Sequence, residues 1–172
     1  MSKMLILWLR IIQTEQHILF GEIIQKVSHS NTNSNSLDRS LARHYDTLGL
    51  VKLFNQSSPD VALDYFQQAL ELRNESSNMR LLSISLMNIG IAYAELGKTQ
   101  QATQQFYKSL TLRETYQDPY DMAVIHLNLA EMHLRNEETD RIKHHAILAK
   151  KLIDENDIEA LKSVCAKYAP LV

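Results

Sequence analysis

An all-α chain of stacked helix pairs is what this sequence predicts, and three observations predict it. Only 4 glycines and 3 prolines occur in 172 residues, too few for the tight turns of a sheet protein. The chain matches itself at a shift of 40 residues, the mark of a repeated supersecondary unit. Apolar residues recur at helical spacing inside each unit, as Ala62, Phe66, Ala69 and Leu70 do at i, i+4, i+7 and i+8.

Residues 4–27 form a first helical segment, with Leu5, Trp8, Leu9, Ile12, Leu19, Ile23, Ile24 and Val27 on a broad apolar side. Arg10 interrupts its opening apolar run and no small-x-small cleavage site follows, so it does not read as a secretion signal. This segment either caps the first repeat or pairs with a second copy of the chain as a homodimer. Residues 28–36 contain only Ser, His, Asn and Thr, the composition of a linker.

Six helices then follow, near 37–54, 59–74, 79–96, 99–116, 119–135 and 139–154. Ser58-Pro59 and Asp118-Pro119 each place a capping side chain before a proline at the first helical position. Thr99 and Thr139 are expected to cap the second helices of their pairs, and Gly97 suits a left-handed helix end. A last helix near 157–168, capped by Asn156 and stopped by Pro170, completes the chain. Its stripe of Ile158, Leu161, Val164, Cys165 and Tyr168 shields the final repeat, as solenoid ends require. The organisation is thus a front segment at 1–27, a linker at 28–36, repeats at about 37–76, 77–116 and 117–155, and a cap at 156–172.

The repeated residues are specific. Leu86 to Tyr93 falls on His126 to His133, and Ala62, Phe66 and Ala69 fall on Ala102, Phe106 and Ser109. Tyr45, Leu48 and Gly49 match Leu86, Ile89 and Gly90 with one extra residue in the turn at 55–58. Leu86, Ile89-Gly90, Tyr93, Ala102, Phe106 and Ser109 resemble the tetratricopeptide repeat, in its variant with a 40-residue period. The third repeat departs from the pattern, with His133 in place of the tyrosine and Ala146 in place of the aromatic. The resemblance implies a right-handed superhelix whose first helices line a concave groove.

The groove positions that the resemblance implies are Arg43, Asp46, Thr47 and Leu50 in the first repeat. They are Ile84, Met87, Asn88 and Ile91 in the second, and Val124, Leu127, Asn128 and Glu131 in the third. Asn88 and Asn128 are equivalent, and a side-chain amide offers one donor group and one acceptor to a peptide unit. Ile84, Met87, Ile91, Val124 and Leu127 are expected to receive apolar side chains. Arg43 and Glu131 set charge at the groove ends. The expected function is non-catalytic binding of a protein or peptide, with no cofactor. The alternatives are a module of a peptide-responsive bacterial-type regulator without its output domain, or a structural protein that self-associates through residues 4–27.

Composition and chemistry agree with a binder. A formal charge of -2 carries no nucleic-acid footprint or attraction to anionic lipid. The single cysteine, Cys165, forms no internal disulfide, so the expected compartment is the cytoplasm. His144 and His145 are adjacent and point to different sides of a helix. His126 and His133 share a face without a partner at a known ligand spacing, and a structural role is expected for both. Glycine is too scattered for a phosphate-binding loop.

Overall fold

The computed structural model describes residues 34–74, 78–115 and 118–171. Every regular element among them is helical. Residues 1–33, with the expected front helix and its two roles, lie outside the described residues. The chain divides into two compact units, Met1–Ser77 and Asn78–Val172.

The first unit contains one described helix pair, α1 (Ser34–Asn55) and α2 (Pro59–Asn74). Helix α1 starts at Ser34, so residues 34–36 belong to the helix and not to the expected linker. Ala42, Leu53, Ala62, Leu63, Phe66 and Ala69 are buried. Gly49 lies against the ring of Phe66, where a Cβ would collide with three ring carbons. Tyr45 stacks on Tyr65 at 6.2 Å. Arg73 of α2 forms an ion pair with Asp46 of α1 at 2.5 Å, and both are buried.

The second unit holds two helix pairs and a cap. These are α3 (Met79–Glu95) with α4 (Thr99–Glu114), and α5 (Pro119–Arg135) with α6 (Thr139–Glu155). Helix α7 (Glu159–Cys165) and a 3-10 turn (Ala166–Leu171) follow. Gly90 repeats the role of Gly49: a Cβ there would lie 2.7 Å from Cε1 of Phe106. In the third pair Ala130 and Ala146 stand in the corresponding places, both fully buried. The small and large partners have been exchanged for two of intermediate size, and the helices still close. Ser109 Oγ donates to the Ser83 carbonyl at 2.8 Å, joining α4 to α3. The Arg135 guanidinium donates to the Ala94 carbonyl at 2.7 Å, joining the C-terminal ends of α5 and α3.

The helix ends show the repeat in the backbone. Ser57, Gly97 and Glu137 all have positive φ, at 49°, 71° and 59°. Each lies in the turn inside a pair, at 40-residue intervals. Asp118 caps α5 by accepting from the Asp121 amide at 3.2 Å, ahead of Pro119. Asn78 caps α3 by accepting from the Leu81 amide.

Four expected caps differ. Thr99 and Thr139 are the first residues of their helices, and the N-cap positions are Lys98 and Glu138 with no side-chain cap bond. The left-handed residue one place earlier leaves the helix closing on a backbone carbonyl, as Ala102 N does on Lys98 O. Ser58 turns its hydroxyl back to donate to the Gln56 carbonyl at 3.2 Å. Asn156 ends α6 instead of starting α7, donating to the Leu152 carbonyl at 2.9 Å. The last helix also divides: α7 stops at Cys165, and the chain tightens into a 3-10 turn that contains Pro170. Proline has no N–H to continue an α-helix and crowds the residues before it.

Candidate functional site

The inner-helix residues are more enclosed than an open groove would leave them. Met87, Ile91 and Leu127 are 1% exposed, Asn88 is 2% and Asn128 is 8%. Val124 is buried, while Ile84 keeps intermediate exposure. The sequence places these side chains on one face, and all of them but Ile84 are buried in the chain. An α3 with apolar residues around most of its circumference has few positions left for solvent.

The charged ends also differ from expectation. Arg43 is exposed, in the first unit. Asp46 is committed to Arg73, and the Thr47 hydroxyl donates to the Arg43 carbonyl at 3.0 Å. Glu131 is not a free groove charge. Its Oε2 accepts from the Tyr168 hydroxyl at 3.0 Å and from Lys167, so it anchors the C-terminal 3-10 turn. Burial raises the Glu131 carboxyl, but the Lys167 and Tyr168 bonds outweigh it and hold it below its ordinary value. Burial and the facing carboxylate push the Tyr168 phenol up.

A second buried charge closes the junction between α4 and α5. The Arg113 guanidinium is fully buried and lies 2.6 Å from Asp121 and 3.6 Å from Asp118. Burial raises the Asp121 carboxyl against the pull of Arg113. Both acids sit in the first turn of α5 or at its cap, where the helix dipole also favours negative charge.

The most concentrated polar chemistry lies between α4, α5 and α6. Tyr107 Oη is 3.0 Å from His145 Nε2 and 3.3 Å from His133 Nε2. His145 Nδ1 is 3.0 Å from His126 Nδ1. His133 Nδ1 is 2.8 Å from Glu138 Oε2. The rings of His133 and His145 stack at 5.4 Å with their planes 3° apart. His126, His133 and His145 are buried, whereas Tyr107 is 39% exposed.

Donors and acceptors can be assigned along this chain. A carboxylate only accepts, so His133 donates through Nδ1 and, when neutral, accepts at Nε2. The Tyr107 hydroxyl then donates to His133 and accepts from His145 Nε2–H. His145 is left with a bare Nδ1, which accepts from His126 Nδ1–H. Each of the four bonds carries one proton, and His126 and His145 are neutral. Burial and the neighbouring rings lower His145 to about 3, and burial lowers His126 to about 4.

Sequence reasoning found the burial of His133 and the division of His144 from His145, one exposed and one buried. It missed the cluster. Tyr107 and His145 are 38 residues apart and lie on different helices, and no local spacing marks their meeting. Glu138, His133 and Tyr107 resemble an acid–base–hydroxyl series in outline. Burial, however, raises the Tyr107 phenol, which opposes its use as a nucleophile. Among the described residues, no group of three or more His, Cys, Asp or Glu side chains is arranged to hold a metal ion.

Cys165 is buried and its thiol is raised by burial, as a packed thiol should be. It borders a cavity of about 380 Å³ between α6 and the C-terminal turn, with Lys150, Asp154 and Lys162 at its edge. No helix among the described residues is long and apolar enough to cross a membrane.

Comparison with known proteins adds two findings. The family described as tetratricopeptide repeat matches residues 40–115. Response regulator aspartate phosphatase A of Bacillus subtilis (strain 168) is 37% identical over 54 residues, which is 31% of this chain and 14% of that protein. The chain therefore corresponds to a small part of this relative's length.

Proposed function

Because residues 40–115 match the tetratricopeptide repeat family, we propose that the chain is a non-catalytic module that binds a protein or peptide. The observation that carries this reading is the pair Asn88 and Asn128, one repeat apart at the same register of α3 and α5. Their amides would hold the ligand backbone, and Ile84, Met87, Ile91, Val124 and Leu127 would take apolar side chains. Since most of this face is buried in the free chain, binding is a displacement. The ligand replaces intramolecular contacts with its own, which lowers affinity by the cost of opening the face.

The test is a peptide array probed with the full chain, followed by titration of a captured peptide against the Asn88→Ala and Asn128→Ala variants. Each substitution is expected to weaken binding by about 1–3 kcal/mol through an unpaired ligand amide. Equal affinity in wild type and both variants places the site elsewhere.

The likeness to a response regulator aspartate phosphatase supports a second reading. A response regulator would then be the partner. Incubation with a response regulator phosphorylated on aspartate separates the two readings. Complex formation without phosphate release supports a binder, and catalysed release makes the chain an enzyme.

A further inference from the structure

We propose that the chain of bonds from Glu138 through His133, Tyr107 and His145 to His126 is a proton-sensitive latch. It ties α5 and α6 to α4, and protonation of its inner histidine pair opens the third helix pair.

The geometry sets the proton capacity. His126 and His145 face each other through Nδ1 atoms 3.0 Å apart, and that contact holds one proton. One extra proton is accommodated on the bare Nε2 of His126, which leaves this contact intact. Two cations place an N–H against an N–H, and the contact becomes repulsive. Tyr107 accepts from His145 Nε2–H whether that ring is neutral or cationic, so it is the Nδ1–Nδ1 contact that responds to charge on the inner pair.

The surroundings offer no compensation for added charge. From α4, Tyr107 faces the pair as a neutral phenol. His133 comes from α5, and Arg141 and His144 come from α6. Each of these three disfavours a proton on His145. The Glu138 carboxylate is on the far side of His133, already accepting from its Nδ1. Acid therefore introduces charge into a buried site where, among the described residues, no counter-charge contacts the inner pair.

The latch also spans separate elements. Tyr107 is on α4, His126 and His133 on α5, His145 on α6, and Glu138 in the turn between α5 and α6. Tyr107 and Glu138 reach solvent, at 39% residue and 37% side-chain exposure, so protons can enter from the rim. The other helix pairs lack this device. Leu86 and Gln105 stand in the second pair where His126 and His145 stand in the third.

The sign follows from linkage. In the unfolded chain a histidine titrates near 6.5, whereas His126 and His145 are lowered to about 4 and about 3. The open state binds more protons between those limits, so the closed state loses ground as pH falls from about 6.5. From pH 7 to pH 5 the closed-to-open constant should fall roughly 10- to 25-fold per histidine.

The experiment is hydrogen exchange of the full chain at pH 7 and pH 5, corrected for intrinsic exchange, with NMR titration of the histidine rings. Protection should fall first in α5 and α6, and the His126 and His145 rings should stay neutral at pH 5. The variant His126→Leu with His145→Gln, which installs the second pair's residues, should lose most of the pH effect. Ring titration near 6.5 in the folded chain overturns the proposal. So does uniform loss of protection across α3 to α6, or an unchanged pH effect in the variant. If the variant does not fold, the ring titration and exchange map of the wild type decide.

Discussion

Replacing Gly90 by alanine should change sign with the residue at position 106. A Cβ on Gly90 would lie 2.7 Å from Cε1, 2.8 Å from Cδ1 and 3.1 Å from Cζ of Phe106. The ring is fully buried, and protein interiors are close-packed. Overpacking of this kind costs about 2–3 kcal/mol. Alanine recovers about 1 kcal/mol of helix propensity, so Gly90→Ala should destabilise by about 1–2 kcal/mol. Phe106→Ala alone should cost about 3–5 kcal/mol through lost burial and the cavity left behind. With the ring gone, the same Gly90→Ala change keeps only its propensity gain and fills part of the cavity. It should then stabilise by about 1 kcal/mol. The double variant reproduces the Ala130 and Ala146 pairing that the third pair already uses. Urea unfolding of all four chains, with m-values compared, gives the coupling energy, expected at about 2–3 kcal/mol. If Gly90→Ala stabilises in both backgrounds, the ring swings aside freely and the close approach is not what requires glycine there.

Other expectations follow from single positions. Glu137→Gly should stabilise by about 0.5–1 kcal/mol because Glu137 holds a φ of 59° that glycine adopts without strain. Gly97→Ala, at φ 71° with nothing near the added Cβ, should destabilise by a similar amount, and thermal melts check both. Asn88→Ala should lower the melting temperature as well as weaken binding, because Asn88 is 2% exposed; an unchanged melt would show the amide to be idle. Tyr168→Phe should free the C-terminal turn from Glu131 at a cost of about 1–2 kcal/mol, read as faster amide exchange after residue 158.

The helix pairs, their 40-residue interval and nearly all their boundaries were legible in the sequence, because each depends on neighbours within a few turns. Apolar spacing, Asp118-Pro119 and Gly97 act locally, and local order sets where a helix begins and which stripe it buries. The caps that failed did so over one or two residues. There, a left-handed Ser57, Glu137 or Asp157 took the turn that composition alone would have left to glycine.

The site was less legible. Asn88 and Asn128 were recognisable as equivalent, but burial depends on what every other element covers, and no single helix records that. Glu131 looked like a free charge until Tyr168 and Lys167 reached it from 37 and 36 residues away. The imidazole latch gathers residues from three helices across 38 positions. His126 and His133 share a face of α5, but no helical spacing links them to Tyr107 or His145, so only the packing of α4, α5 and α6 brings the rings together. Sequence alone determined the helices and the repeat, because those forces act along the chain. Tertiary structure decided which polar groups are shut away from water and which protons they must share, because those forces act across it.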